Sequence, residues 1–450
     1  MRVMKWSAIA LAVTAAATSQ LAMAEAFVSD QAEAKGFVED STLNVLLRNY
    51  YFHRDNRSGG NDQRDWTQGV HGVYSSGFTT GTFGVGVDAF AYGGLRLWGL
   101  DKYSGSGNLT VDPEDGDNHS NFGKAGAAVK FRVSKTLLKI GDQQPSTSPV
   151  FAVGGSRLVP QTASGITLMS SELEGLDLEA GHFYSGTSQN TTNRDGEIWS
   201  QYAVNIDGGG YTAKSADYLG GRYTVNDQLS VGLYGSKVED LWDQYYGNVN
   251  YVLPLNNDQS LTFDVNYYRT KDEGSSKLGD IDNNTYSLSA AYAFMPGQTL
   301  TLSFQKVNRD TPFDYIGIGD NNKGGDSIFL ANSIQYSDFN GPGEKSWKLQ
   351  YNIDMATFGA PGLSFMARYA YGYDIDGSNI SADSAYAGYG YGEDGKHHET
   401  NVEAKYVVQT GPVKDMSFRI RQAWHTANAD QAEGDRAEFR LIVDYPISIL

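Results

Sequence analysis

From about Asp40 onward, apolar residues recur at every second position of the chain. In the segment LTFDVNYYRT, Leu261 and Phe263 share one face with Val265, whereas Thr262 and its polar neighbours lie on the other. A period of two is that of a β-strand with one apolar and one polar face. The pattern therefore predicts strands whose two faces meet different surroundings.

About eighteen such segments follow one another, each roughly 8 to 13 residues long, which is what a tilted strand needs to cross a bilayer. They begin near residues 41, 67, 82, 124, 135, 162, 176, 215, 228, 242, 260, 284, 299, 345, 362, 398, 414 and 436. Short turns such as NDQ, MPG and TGPV follow even-numbered strands, and long polar loops follow most odd-numbered ones. Because a sheet in lipid must close on itself to satisfy its edges, we expect an all-β, eighteen-stranded antiparallel transmembrane β-barrel.

A soluble β-sandwich or a set of tandem β modules would also alternate. Neither accounts for the aromatic residues near strand ends, which suit the interfacial girdles of a barrel in lipid. These are Tyr50, Tyr51, Trp98, Tyr184, Trp424 and Tyr445. The aromatic positions favour the membrane barrel over the soluble alternatives.

The first residues have the form of an export signal. Arg2 and Lys5 precede an uncharged stretch, and Ala22 to Ala24 offer the small residues of a cleavage site. We therefore expect a signal peptide at residues 1–24 and the barrel at residues 25–450, in a bacterial outer membrane. The predicted partners are outer-membrane lipid and lipopolysaccharide.

The amino-acid composition argues against several other functions. The chain has no cysteine, so neither disulfides nor thiol chemistry are expected, and no internal segment is apolar enough to be a membrane helix. A net charge of -18 argues against a nucleic-acid partner, because nucleic-acid binding depends on neutralising phosphates.

If the apolar face meets lipid, the other face surrounds the lumen. In KAGAAVKFRV, Val129 and Phe131 then face lipid, while Lys124, Lys130 and Arg132 face inward. The same parity places further basic residues inside: Lys348, Arg368, Arg419, Arg421 and Arg440. An acidic protein thus gathers positive charge on its inner wall.

Any one of these arginines could merely pair with a lumenal carboxylate. Candidates are Asp88, Asp264, Asp354 and Glu403. Three arginines on the last two strands are harder to explain this way, because Arg419 and Arg421 stand one pleat apart and repel unless an anion sits near them. The pattern predicts a channel for small solutes that bear a carboxylate.

No cofactor or metal site is expected. The pair His397 and His398 stands in the acidic stretch EDGKHHETN, where solvated side chains are the simpler interpretation. The stretches DIDGS and DPEDGDN lack the full ligand spacing of a calcium loop, and no P-loop or zinc motif is present.

Several long segments resemble the OprD family of outer-membrane porins. They are PVFAVGGSRLVPQTASG, SSELEGLDLEAGHF, PFDYIGIG, GGDSIFLANSIQYSDFNGPGEKSW, YGYGEDGKHHETNVEAKYVVQTGPVKDMSFRIRQAWH and the terminal EFRLIVDYPISIL. The resemblance covers essentially the whole chain after residue 24. It implies a monomeric or loosely trimeric barrel with inward-folded constriction loops, which conducts basic amino acids, small peptides and carbapenems.

The resemblance also implies a ladder of arginines opposite an acidic and polar pocket. The ladder would be Arg54, Arg64, Arg157, Arg419, Arg421 and Arg440. The pocket would be Asp326, Ser333, Asp338, Tyr202, Tyr315 and Tyr336. Two stretches depart from the family pattern, AVNIDGGGYTAKS and GDNNKGGD, and the second carries Lys323 close to Asp326.

The stretch SPVFAVGGSRLVPQTASG, residues 148–165, joins two predicted strands on the long-loop side. Its prolines and paired glycines suit a segment that leaves the barrel wall and turns sharply. We expect it to be a constriction loop that carries Arg157 into the pore.

Two other functions are alternatives for this sequence. The family has also been classed as a serine peptidase, with a triad that would be His182, Asp240 and Ser327, but parity places His182 on the lipid face and Ser327 in a pore loop. Because a general base must reach its nucleophile, we expect no catalysis. A sugar-specific porin is the other alternative. Such a porin needs aromatic rings along the lumen, where this chain has guanidinium groups.

Overall fold

The computed structural model describes residues 27–112, 114–203, 211–256, 258–320 and 324–450. Within these ranges the chain forms twenty-one strands and four 3-10 helices, with no α-helix. None of the helices in these ranges is long and apolar enough to cross a membrane.

The strands of the first half are β1 (Thr42–Asn56), β2 (Gln63–Ser75), β3 (Phe83–Trp98), β4 (Asn121–Val133), β5 (Thr136–Gln143), β6 (Thr162–Leu173), β7 (Leu176–Thr187), β8 (Ile198–Ser200), β9 (Thr212–Ala213), β10 (Ala216–Thr224) and β11 (Leu229–Val238). Those of the second half are β12 (Trp242–Pro254), β13 (Ser260–Asp272), β14 (Asp282–Met295), β15 (Gln298–Asn308), β16 (Ile316–Ile318), β17 (Lys345–Asp354), β18 (Leu363–Ile375), β19 (Gly395–Val407), β20 (Ser417–Ala427) and β21 (Arg436–Ser448). The 3-10 helices are Gln31–Glu33, Asp101–Tyr103, Met355–Phe358 and Ala387–Tyr389.

Eighteen of these strands form one closed antiparallel sheet, in which β21 pairs back with β1. Each strand pairs with the barrel strands before and after it in the chain, and β7 reaches β10 past the small sheet of β8, β9 and β16. Closure leaves no open edge, as a sheet in lipid requires. The eighteen-stranded barrel expected from the alternation is confirmed.

The predicted strand starts all fall within four residues of the observed ones. The strands themselves run from 8 residues in β5 to 16 in β3, longer than expected at the upper end. β3 continues through Gly93 and Gly94, where apolar alternation is lost, because backbone pairing with β4 does not need side chains. Periodicity therefore located the strands better than it bounded them.

Side-chain exposure follows the predicted parity. Leu219, Leu233 and Leu302 are 66%, 72% and 57% exposed on the outer face, while Lys124 and Arg132 are buried on the inner one. Tyr50 is a correction: it was expected in an interfacial girdle, but it is fully buried inside the barrel. Its even position on β1 gives it the inward face shared by Arg48 and Phe52.

Two long loops fill much of the lumen. The segment between β5 and β6 and the segment between β15 and β17 meet at the inward-facing Tyr268, whose hydroxyl donates to the Pro149 carbonyl at 3.1 Å and accepts from the Phe329 amide at 2.9 Å. In the first loop Phe151 stacks on Phe183 of β7, with ring centroids 4.4 Å apart. Residues 148–161 thus leave the wall and fold inward, as expected, whereas residues 162–165 already belong to β6.

Candidate functional site: the pore constriction

Phe52 lies at the centre of a group of guanidiniums on the inner wall. The Cζ atoms of Arg54, Arg157 and Arg440 lie 5.4, 5.3 and 5.8 Å from its ring centroid. Cations at this distance are attracted by the ring's quadrupole. The structure therefore brings together three predicted ladder residues from two strands and one loop.

A buried carboxylate, Glu438, holds two of them. Arg440 Nε donates to Glu438 Oε1 at 2.6 Å, and Arg54 Nε donates to Glu438 Oε2 at 2.8 Å. Glu438 itself is fully buried. The sequence reasoning missed this residue, although its even position on β21, two before Arg440, was available as a signal.

Arg419 and Arg421 share a second wall carboxylate. Arg419 Nη2 donates to Glu403 Oε2 at 2.8 Å, and Arg421 Nε lies 3.1 Å from the same oxygen. The anion that these two guanidiniums demand is thus supplied in part by the wall itself, which corrects the argument that it must come from a solute. Among the described residues, the buried Nε atom of Arg419 has no hydrogen-bond partner.

Arg157 reaches the wall from the loop between β5 and β6. Its Nε donates to the Ser106 carbonyl at 2.9 Å, and Arg48 Nη1 donates to the Arg157 carbonyl at 2.8 Å. Burial lowers the pKa of Arg157 to about 10, so its guanidinium stays charged at neutral pH. The loop adds a fixed cation to those of the strands.

Positive charge exceeds negative charge in this region. Seven guanidiniums belong to it: Arg48, Arg54, Arg157, Arg368, Arg419, Arg421 and Arg440. Five carboxylates face them: Asp65, Glu399, Glu403, Glu438 and Asp444. We call this set of residues the basic wall.

Arg64, the sixth predicted ladder residue, does not join the basic wall. It stands opposite His53 in the register of β1 and β2, and its Cζ lies 5.0 Å from the Tyr103 ring centroid. Directly paired residues share a face of the sheet, so Arg64 lies on the face opposite to that of Phe52 and Arg54. Its place on β2 is shifted by one position from an inward-facing one.

Asp338 accepts hydrogen bonds from three hydroxyl groups. Tyr202 Oη and Tyr315 Oη donate to Asp338 Oδ2 at 2.7 and 3.0 Å, and Ser333 Oγ donates to Oδ1 at 2.5 Å. All four residues lie on loops that were predicted to form the pocket. We call these four residues and Asp326 the acidic pocket.

Asp326 links the acidic pocket to the loop of Arg157. Its Oδ2 accepts from the Gly155 amide at 3.2 Å, and its own amide donates to the Ala152 carbonyl at 3.2 Å. Burial raises the pKa of Asp326 to about 7. This carboxyl therefore titrates near neutral pH at the point where the two loops touch.

Tyr336, expected in the pocket, contacts the basic wall instead. Its ring centroid lies 5.0 Å from Arg54 Cζ, and its amide donates to Glu399 Oε1 at 3.0 Å. A residue that sequence reasoning missed, Asp314, anchors the pocket from behind: it accepts from the Tyr202 and Tyr315 amides at 3.1 and 2.7 Å. Lys323 and residues 204–210, where the sequence departs from the family pattern, lie outside the described residues.

The three peptidase residues are not assembled. His182 Nδ1 bonds to Asp217 Oδ1 at 2.7 Å on the outer face, and Asp240 lies 3.2 Å from Lys277 Nζ near the turn between β11 and β12. Ser327 is fully buried in the pore loop, and its hydroxyl has no partner among the described residues. Within the described ranges, neither a base nor an orienting acid hydrogen-bonds to the hydroxyl of this serine.

Comparison with known proteins gives consistent matches. The family described as outer membrane porin, OprD family, matches residues 35–449. Porin D of Pseudomonas aeruginosa is 62% identical and the alignment covers 100% of both chains. The crystal structure of OprD from the same organism has a TM-score of 0.82 at 59% identity, covering 95% of this chain and 100% of that one. The crystal structure of Pseudomonas aeruginosa OpdK with vanillate has a TM-score of 0.81 at 30% identity, covering 92% of this chain and 100% of that one.

Proposed function

This chain belongs to the OprD family of outer membrane porins, which are channels for small solutes, and we propose that its preferred solutes carry both a carboxylate and a cationic group. Basic amino acids and small basic peptides are solutes of this kind. One observation carries the proposal. The loop that carries Arg157 of the basic wall touches the acidic pocket where the Gly155 amide donates a hydrogen bond to Asp326. A solute at that point has cations on one side and carboxylates on the other.

The basic wall suits a solute carboxylate for two reasons. Its guanidiniums outnumber its carboxylates, and the Arg419 side chain on the inner face remains 36% exposed and can meet a passing anion. Arginine presents five N–H donors in a planar fork that matches a carboxylate. A row of such groups lets a solute exchange one partner for the next, which permits passage without tight binding.

The acidic pocket suits the cationic end. Asp338 is held by neutral hydroxyl donors, and no cation of the described residues forms an ion pair with it. At about 4 Å, two opposite unit charges attract by about 4 kcal/mol at an effective dielectric constant of 20. The same zwitterion chemistry would admit carbapenems. The vanillate named with OpdK is likewise a carboxylate.

The function is tested by solute uptake into liposomes that contain the purified protein. We expect lysine and arginine to enter faster than neutral sugars of similar size, and the double change Arg419→Ala and Arg421→Ala to slow them about tenfold, because about 1.4 kcal/mol of attraction is lost. Arg57→Ala, an exposed arginine paired with Asp55, is the matched control. Unchanged lysine uptake in the double variant would contradict the proposed role of the wall.

Neither alternative function gains support from a specific contact. For a peptidase, Ser327→Ala would have to abolish peptide hydrolysis in a protease-free preparation, and we expect no hydrolysis with or without the change. For a sugar porin, maltodextrin would have to block the ion current, and we expect no block.

A further inference from the structure

Four titratable side chains meet at the loop side of the barrel, next to the basic wall, where the His425 ring lies 5.0 Å from that of Tyr336. His397 lies on β19 and His425 on β20, while Glu433 belongs to the loop between β20 and β21 and Glu344 directly precedes β17. Both histidines are 2% exposed, and Glu344 is 1% exposed. The assignment of His397 to a solvated loop was therefore wrong: β19 begins at Gly395, and His397 shares the inward parity of Glu399 and Glu403.

Three of their ligand atoms form a compact triangle. His397 Nδ1 lies 2.8 Å from His425 Nε2, and Glu433 Oε2 lies 3.8 Å from the first and 3.5 Å from the second. A tetrahedral zinc ion with bonds of about 2.0–2.1 Å separates its ligand atoms by about 3.4 Å. The two edges to Glu433 are close to this length, and the edge between the two histidines, at 2.8 Å, has to lengthen by about 0.6 Å to admit such an ion.

The outer ring nitrogens orient both histidines. His425 Nδ1 lies 2.8 Å from the Gly434 carbonyl, which can only accept, so His425 carries its proton on Nδ1 and turns the lone pair of Nε2 toward the triangle. His397 Nε2 lies 2.7 Å from Glu344 Oε1. Metal-bound histidines characteristically donate their other N–H to a carbonyl or a carboxylate.

The position of the proton on His397 has two solutions. When Glu344 is ionised it accepts from His397 Nε2, and the lone pairs of His397 Nδ1 and His425 Nε2 then face each other at 2.8 Å, which is repulsive without a cation nearby. When Glu344 is protonated, His397 can instead donate from Nδ1 to His425. A metal ion bound between the two nitrogens would remove the repulsion of the first form.

Packing holds the group in place. The Phe339 ring stacks on His397 with centroids 4.2 Å apart. A Cβ at Gly372 would collide with Glu344 Oε1 and His397 Nε2, so the absence of a side chain there makes room for this pair. The Gly341 amide donates to the other oxygen, Glu344 Oε2, at 2.8 Å.

We propose that His397, His425 and Glu433 bind a divalent transition-metal ion such as Zn²⁺, with Glu344 and the Gly434 carbonyl as the outer partners of the two histidines. Two imidazoles and one carboxylate suit zinc and its neighbours in the first row, and three protein ligands leave a fourth position for water. The ion links β19 and β20 to the loop before β21. This site is independent of the solutes that the pore prefers.

The test uses the full-length barrel in detergent, stripped with EDTA and titrated with Co²⁺ and then Zn²⁺. We expect one Co²⁺ per chain, with the visible absorption of a tetrahedral nitrogen and oxygen site, displaced by Zn²⁺. His425→Ala should abolish the absorption, and Glu344→Gln should weaken Co²⁺ binding about 10- to 100-fold, as loss of an outer-sphere partner does. His398→Ala is the matched control, because the neighbouring residue lies on the opposite face of β19.

Barrel integrity is checked for each variant by its heat-dependent mobility in gels. If His425→Ala does not fold, Glu433→Gln supplies the same test with a side chain of equal size, and loss of the Co²⁺ absorption supports the site. The site is refuted if the folded wild-type protein shows no tetrahedral Co²⁺ absorption. It is refuted equally if His398→Ala loses the absorption as completely as the ligand variants do.

Discussion

The basic wall and the acidic pocket hold their charges in different ways. On the wall, charged groups sit on strands and meet other charged groups, as Arg54 and Arg440 meet Glu438. In the pocket, Asp338 sits on a loop, and the donors that it meets in the described part of the chain are all hydroxyl groups. Both arrangements give charged groups inside the barrel hydrogen-bond partners, but the wall uses opposite charges and the pocket uses neutral hydroxyl groups.

The difference has a consequence for solutes. An arginine that shares a carboxylate with its neighbour has part of its field cancelled, so several such groups must act together to attract an anion. A carboxylate held by neutral hydroxyls keeps its whole charge and can act alone. We therefore expect the wall to tolerate single substitutions in transport while depending on its carboxylates for stability, and the pocket to show the reverse.

The strongest test of this contrast is Glu438→Gln. Because Arg54 and Arg440 would lose their common counter-charge inside the barrel, the free energy of unfolding should fall by about 3–5 kcal/mol, the cost of breaking a buried pair. Urea unfolding of the protein in lipid vesicles, followed by tryptophan fluorescence, measures it. Glu114→Gln, in an exposed loop, should leave stability unchanged. A loss equally small in both variants would show that the wall carboxylate is not needed by its arginines.

Asp338→Asn is expected to act on transport. The amide can still accept from Tyr202 and Tyr315, so the loop should keep its fold, whereas lysine uptake should fall about tenfold through loss of about 1.4 kcal/mol of attraction. Competitive uptake of lysine and glycine in the same liposomes measures the change. Asp383→Asn, in an exposed loop, is the control; equal lysine uptake in both variants would remove Asp338 from the solute pathway.

The smallest expected effect is that of pH on Asp326. With a pKa of about 7, this carboxyl is about one-tenth ionised at pH 6 and about nine-tenths ionised at pH 8. Lysine uptake should therefore rise with pH across this range, by about threefold, since one further negative charge faces the cation.

Asp326→Asn should remove this pH dependence, and Asp338→Asn should retain it at a lower rate. If the pH profile survives in Asp326→Asn, another group titrates in the pathway, and the pocket does not work through this carboxyl.

Much of the basic wall was predictable, because a strand alternates its side chains with a period of two. Parity placed Arg419, Arg421 and Arg440 on the inner face, where the structure has them buried or half-buried. The same rule, applied to His397 and His425, would have put both histidines inward on neighbouring strands. The missing step was to extend β19 three residues toward its start.

The carboxylate partners of the arginines and the acidic pocket were harder to predict from the sequence. Glu438 could be placed inward by parity, two residues from Arg440 on the same strand, but its contact with Arg54, 384 residues away, depends on the closing pair of β1 and β21. Arg64 was misplaced because a single-residue difference in register moves a side chain to the other face.

By itself the sequence determined the barrel: the alternation sets the strands, their inward and outward faces and the short turns, because backbone pairing and contact with lipid act on neighbouring residues. Only the tertiary structure decided which loop enters the lumen and what it touches. The bond from Gly155 to Asp326 spans 171 residues, and the contact of His397 with Glu344 spans 53. Such contacts between distant residues follow from barrel closure and loop packing, which no local sequence pattern encodes.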